Sequence, residues 1–243
     1  MIDLHCHILP DIDDGAASLG VSLEMARMAQ VSGVKEIAAT PHFRGDSESL
    51  GMLADIQQRF DRLQAMLARD QIPIRLHRGA EVLCLPQTVE LAADHQLPTL
   101  GTGNYVLTEF YFDESFDYMD EMLTQIAGYG YRIVVAHPER YEAIQRDSRR
   151  LRRWARQGFA LQLNKGSILG SFGPRAERVA NEIMAMGLAH LIASDGHGCQ
   201  HRTPHMGAVK EWAEAMCQES YAKILLERNP RRILEGRPLV SDD

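Results

Sequence analysis

Met1-Ile2-Asp3-Leu4-His5-Cys6-His7 opens the chain, a short apolar run ending in two histidines spaced i, i+2. In a strand, residues so spaced share a face, so both imidazoles point one way and Cys6 the other. Ile8-Leu9-Pro10-Asp11-Ile12-Asp13-Asp14-Gly15 follows, three carboxylates in four residues and a closing glycine. Histidines and carboxylates packed this closely read as ligands for a hard-to-borderline metal. The plainer alternative is an Asp-rich surface loop beside two ordinary histidines. An open doubly wound sheet would carry a glycine-rich dinucleotide loop after its first strand. His5-Cys6-His7 stands there instead, which favours a barrel.

Outward from this stretch, apolar strands and amphipathic helices alternate seven times. Ala17 to Gly33 has apolar side chains near a 3.6 period, with Ser18 to cap it and Gly33 to stop it. Val34 to Thr40 is the next strand and leads through Pro41 to His42. Ser49 to Arg69 predicts a helix with Leu50, Leu53, Ile56, Phe60, Leu63 and Leu67 on one face. Ile72 to Ala80 delivers Glu81, Tyr105 to Thr108 delivers Glu109, and Arg132 to Ala136 delivers His137. Phe159 to Leu163 delivers Asn164, and His190 to Ser194 delivers Asp195 and His197. Helices fit Phe116 to Tyr129, the basic stretch Arg149 to Gln157, and Arg175 to Met186, while the tail after Gly236 reads as frayed. Short apolar strands joined by amphipathic helices predict an α/β fold with a parallel sheet covered by helices. No Pro-, Gly- or Ser-rich linker divides the chain, so residues 1–243 are expected to form a single domain.

Bulk properties set the remaining bounds. A chain of 243 residues buries roughly 75% of its unfolded surface and needs no staples. The net charge of −7 argues against broad nucleic-acid or anionic-membrane binding, which wants a basic face. Cys6, Cys84, Cys199 and Cys217 form no C-x-x-C pair, and none has an Arg six positions on, as a thiolate phosphatase loop would. No apolar run of membrane length precedes them, so free thiols in a cytoplasmic protein are expected.

Position is the decisive regularity. His5 and His7, His42, Glu81, Glu109, His137, and Asp195 with His197 each follow directly on a separate apolar strand. In a parallel barrel the carboxyl ends of the strands form one rim, where chemistry collects. Asp14 joins them from the loop after the first strand. Nine such groups exceed the roughly four to six ligands of one ion, so a cluster of two or three ions fits the count. Mixed His and carboxylate ligation suits Mn, Fe or Zn. His77, His95, His190 and His201 lack a strand-end position and read as structural or exposed.

These stretches carry a resemblance. Met1 to His7 with Asp13-Asp14-Gly15, Thr40-Pro41-His42, Gly79-Ala80-Glu81, Glu109-Phe110, Ala136-His137-Pro138-Glu139-Arg140-Tyr141, and Ser194-Asp195-Gly196-His197 with Arg202-Thr203-Pro204-His205 are similar to the polymerase-and-histidinol-phosphatase (PHP) superfamily. The chain resembles most closely its manganese-dependent protein-tyrosine phosphatases of bacterial capsule and exopolysaccharide systems. That resemblance implies a distorted seven-stranded parallel (β/α) barrel. It implies one ion on His5, His7, Glu81 and Asp195, a second on Asp14, His42 and His197, and a third sharing Glu81 with Glu109 and His137. Manganese is the implied metal, with Fe, Zn or Mg as alternatives. Arg140 and Arg202 follow closely on His137 and His197, and the resemblance makes both phosphate clamps; the arginine fork matches phosphate oxygens. His205 is expected either to donate a proton or to line the pocket.

The expected activity is hydrolysis of phosphotyrosine, with the tail of a bacterial tyrosine kinase as the implied partner, no nucleic acid, no membrane insertion, and the oligomeric state open. Three rivals stand beside it. The scaffold could serve histidinol phosphate or another small phosphomonoester. A nuclease is disfavoured by an acidic chain without an extended basic stripe. A non-enzymatic metal-binding regulator would normally close its coordination shell rather than flank it with arginines.

Overall fold

The apolar runs become strands, and every strand pair is parallel in the computed structural model, which describes residues 1–240. The strands are β1 (Ile2–Cys6), β2 (Glu36–Ala39), β3 (His42–Phe43), β4 (Arg75–Arg78), β5 (Glu81–Leu83), β6 (Tyr105–Glu109), β7 (Arg132–Ala136), β8 (Ala160–Asn164) and β9 (Leu191–Ala193). They form a three-stranded sheet, β1-β2-β4, and a six-stranded sheet, β3-β5-β6-β7-β8-β9.

The expectation of one seven-stranded barrel sheet is corrected in two respects. Two of the expected strands, Val34 to Thr40 and Ile72 to Ala80, are each followed by a second short strand after a break at Thr40-Pro41 and at Gly79-Ala80, so there are nine short strands among the described residues. Proline has no N–H for a ladder and glycine weakens one, which accounts for the break points. The ladder also does not close. β1 and the residues after β9 meet through one parallel bridge, Cys6 to Gly196, with Asp195 N donating to His5 O at 2.9 Å and His7 N to Gly196 O at 2.8 Å.

The register along β1 decides which of its side chains share a face. Asp3 lies opposite Ile37 but Cys6 lies opposite Ala39, so one extra residue is accommodated between them. Such a bulge re-aims side chains. Ile2 and Leu4 pack with alternate residues of β2, β6, β7, β8 and β9 in one apolar cluster, whereas Cys6 packs into the larger core between sheets and helices. Tyr105 and Leu107 lie in the small cluster, and Glu109 continues their face; Gln162 and Asn164 likewise continue the face of Ala160. The polar strand ends therefore stack on top of an apolar floor.

Helices behave as their caps dictate. Ser18 Oγ accepts from Val21 N at 3.3 Å and starts the helix Leu19–Val31. The single helix expected from Ser49 to Arg69 is instead two, Ser47–Gly51 and Leu53–Arg69, parted at Met52. Asp46 starts the first by accepting from Ser49 N at 2.8 Å. The turn takes Leu50 and Leu53 off the buried stripe, leaving them exposed while Phe60, Leu63 and Leu67 are buried. In the basic stretch the arginines face out, and the helix Leu151–Arg156 buries Leu151 and Trp154. Trp154 stacks on Phe116 at 5.0 Å and donates from Nε1 to Asp120 at 3.2 Å. Trp154→Ala is expected to destabilise the fold by about 3–5 kcal/mol; a urea midpoint unchanged from the parent would refute that.

The tail is partly tied down rather than frayed: Val240 N donates to Asn229 Oδ1 at 2.9 Å, and Tyr105 donates to Arg237 O at 3.1 Å. Its last three positions, 241–243, lie outside the described residues. No helix among the described residues is long and apolar enough to cross a membrane.

Candidate metal centre

All nine expected ligands converge. His5 Nε2 and His7 Nε2 lie 3.2 Å apart, and each faces Glu81 Oε2, at 3.1 and 3.2 Å. Asp195 Oδ1 lies 3.4 Å from His5 Nε2 and 3.7 Å from His7 Nε2. Asp14 Oδ1 lies 3.3 Å from His42 Nε2 and 3.4 Å from His197 Nε2. Glu81 Oε1 lies 2.9 Å from His137 Nε2. Glu109 departs from the grouping the resemblance implied: its Oε1 lies 2.8 Å from His42 Nδ1, so it gathers with His42 and Glu81 rather than with His137.

Backbone geometry delivers these groups. Strand alternation continued from Val134 and Ala136 would turn His137 away from the cluster. His137 instead takes φ 35°, in the left-handed region, and its ring comes inward. Asp195 and Arg202 also have positive φ, 50° and 48°. Such conformations persist only where the surroundings over-determine them, and they gather at functional sites. Gly15 closes the first loop over His7, where a Cβ would lie 2.2 Å from the His7 carbonyl oxygen.

The histidines are aimed from behind. His5 Nδ1 pairs with Gln162 Oε1 at 2.9 Å, His7 Nδ1 with Asp13 Oδ2 at 2.8 Å, and His197 Nδ1 with its neighbour's carbonyl, Asp195 O, at 2.9 Å. Each Nδ1–H is thereby spent as a donor, which leaves the Nε2 lone pairs for an ion, as metal-binding histidines require. His137 Nδ1, Asp195 Oδ1 and His197 Nε2 are buried without a hydrogen-bond partner.

The electrostatics make the same demand. Burial opposes charge on His5, yet Glu81 and Asp195 lift it to about 9. Burial opposes charge on His7 as well, yet hydrogen bonds to Asp13 and Glu81 lift it to about 10. Burial and the neighbouring His7 push His197 down to about 4. Burial works against the Glu81 carboxylate, but His5 and His137 hold it well below the usual range. Positive charge is therefore wanted between these carboxylates. The donor spacing fits a divalent ion: ligand atoms about 2.1 Å from one centre lie about 3.0–3.4 Å from one another.

Arg202 Nη2 reaches Asp195 Oδ2 at 2.6 Å and Arg140 Nη1 reaches the same oxygen at 3.4 Å, so both guanidiniums sit beside the cluster. His205 does not join it. The ring is exposed and accepts from Gly207 N at 3.3 Å. His77 pairs with Glu36 at 2.8 Å, and His190 Nδ1 accepts from Leu161 N at 3.1 Å, both structural as expected.

The CpsB/CapC family of capsular polysaccharide synthesis matches residues 1–235. The chain belongs to this family. It is similar to the tyrosine-protein phosphatase YwqE of Bacillus subtilis, 34% identical over 205 residues, covering 84% of this chain and 80% of that one. It is similar to the tyrosine-protein phosphatase CpsB of Streptococcus pneumoniae, 28% identical, covering 96% and 98%. A solved structure from work on YwqE and CpsB, unique metal-dependent tyrosine phosphatases, superposes with a TM-score of 0.87 at 30% identity, covering 100% of this chain and 97% of the other.

Within this CpsB/CapC chain several supporting residues carried no assignment from the sequence. Asp13, Gln162 and Asn164 orient ligands: Asn164 Nδ2 donates to Asp195 Oδ2 at 2.6 Å. Buried Asp3 accepts from Ser194 N at 2.9 Å and from Ser194 Oγ at 2.5 Å, which anchors the Asp195 loop. Lys165, nearly buried, donates to Thr203 O and His205 O and so anchors the loop that carries Arg202. Asp13 stood next to Asp14, and Asn164 ended a strand; Gln162 and Lys165 left no comparable signal. All four cysteines are free, and burial pushes the Cys6 thiol well up, which leaves it inert.

Proposed function

We propose that the cluster is the active centre of a metal-dependent phosphotyrosine phosphatase acting on the tail of a bacterial tyrosine kinase in capsule or exopolysaccharide synthesis. The observation that supports it most is the set of histidine Nε2 atoms converging on shared carboxylates while the Nδ1 atoms of His5, His7 and His197 are held from behind. His5, His7, Glu81 and Asp195 would hold one ion, Asp14, His42 and His197 a second, and Glu81 with Glu109 and His137 or His42 a third. Mixed nitrogen and carboxylate donors favour manganese, with Fe, Zn or Mg able to substitute.

Bound ions supply charge for the phosphoryl oxygens and acidify water near neutral pH. The chain does the rest. Asp195 pins Arg140 and Arg202 by one carboxylate oxygen, and the remaining guanidinium N–H groups take phosphoryl oxygens as charge builds there. The ligand histidines would be committed to metal and could not serve as acids, and the exposed His205 ring has its Nδ1 accepting from Gly207 N. A leaving group that needs no proton therefore suits the site. The phenolate of tyrosine, parent pKa about 10, is far better than a serine alkoxide. A histidinol phosphatase would also need free acidic groups for the substrate's ammonium; here the cluster carboxylates Glu81, Glu109 and Asp195 face histidines or arginines.

The expected result is a kcat/KM for phosphotyrosine peptides at least about tenfold above that for phosphoserine peptides and histidinol phosphate, at one pH and one metal. A preference for histidinol phosphate would overturn the substrate while leaving the metal cluster standing.

A further inference from the structure

The loop after Glu109 runs Phe110-Tyr111-Phe112. Phe110 is buried, but Tyr111 and Phe112 are left 53% and 43% exposed. Adjacent exposed aromatics add little to a core and mark a contact surface. Their place is beside the metal cluster: the Phe112 ring centroid lies 6.0 Å from that of His137. The guanidinium carbon of Arg140 lies 4.3 Å from the Phe112 centroid and 4.4 Å from that of Phe172. Arg202 approaches Phe172 as well, at 6.0 Å. The Phe172 ring is seated on Gly166, where a Cβ would come within 2.6 Å of it. Phe172 thus braces Arg140 from a half-buried position, whereas Phe112 packs on the same guanidinium and stays open to solvent.

We propose that Phe112, with Tyr111 beside it, is the subsite for the substrate's phenyl ring. The proposal rests on the phosphatase reading and adds to it the residue that selects an aryl ester. A phosphoryl group gripped by Arg140 carries its ester substituent to the aromatic surface that Arg140 stacks against. A phenyl ring there gains an aromatic contact; a serine methylene gains none. Selection then comes from two sources, the leaving group and the ring.

The test measures kcat and KM of metal-loaded enzyme on a phosphotyrosine peptide and on β-glycerophosphate, an alkyl monoester. Phe112→Ala is expected to lower the aryl-over-alkyl ratio of kcat/KM by about two- to twelvefold, mainly through KM, with Phe112→Tyr restoring it. Because Phe112 is at the surface, the alanine variant should keep its fold, which circular dichroism checks. Equal losses on both substrates would make Phe112 a support for Arg140 and overturn the subsite. So would an unchanged ratio. Parent enzyme that hydrolyses neither substrate would instead sink the phosphatase reading itself.

Discussion

His5→Ala and His7→Ala are each expected to lower kcat by on the order of a thousandfold or more and to reduce bound metal, while Cys6→Ser keeps most of the activity. The two imidazoles share Glu81 Oε2 and approach Asp195 Oδ1, so removing either opens the most buried part of the cluster. The buried Glu81 and Asp195 carboxylates would each lose one neutralising partner, which costs local stability. Cys6 sits between them in sequence but points into the apolar core, with Sγ 3.6 Å from Gly196 O. A serine hydroxyl can meet that carbonyl. Stripping the parent protein with a strong chelator should reproduce the histidine losses, and adding back Mn should reverse them. The measurements are metal content by elemental analysis and turnover of p-nitrophenyl phosphate. Full turnover by stripped protein would end the metal mechanism, and an inactive, folded, metal-loaded Cys6→Ser enzyme would reopen a thiol role.

Arg202→Ala and Arg140→Ala are expected to lower kcat by about a hundred- to a thousandfold with metal content retained. Burial and Glu81 work against the Asp195 charge, but His5, His137 and Arg202 hold its carboxyl well below the usual range. Asp195 therefore stays an anion without either arginine, since the histidines remain, and the cluster keeps its ligand. What is lost is the pair of forks beside it. Arg202→Lys should recover only part of the rate, because an ammonium cannot bind two oxygens in a plane. Near-normal turnover in both alanine variants would make these residues bystanders; metal loss equal to that of His5→Ala would make them structural.

The candidate ligands were legible because most of them lie at or just beyond the end of an apolar run. His42, Glu81, Glu109, His137 and Asp195 follow apolar runs whose length and composition admit little besides a strand, and parallel strands bring their carboxyl ends to one side. The family resemblance supplied the arginines, which position alone did not distinguish from surface residues. The break of the long helix at Met52 was not legible, since Leu50 and Leu53 keep the helical period while lying off the buried stripe.

By itself, then, the sequence determined the parallel α/β character and which histidines and carboxylates gather beyond the strands, because these depend on local periodicity and on where each run stops. Tertiary structure alone decided the rest. The extra residue in β1 sets Ile2 and Leu4 in one cluster and Cys6 in another. The left-handed backbone of His137 turns its ring inward. Glu109 gathers with His42, and Phe112 and Phe172 close on Arg140 from loops 60 positions apart in the chain. Each is a contact between segments distant in sequence, or a backbone conformation held only by such contacts, and local pattern carries no record of either.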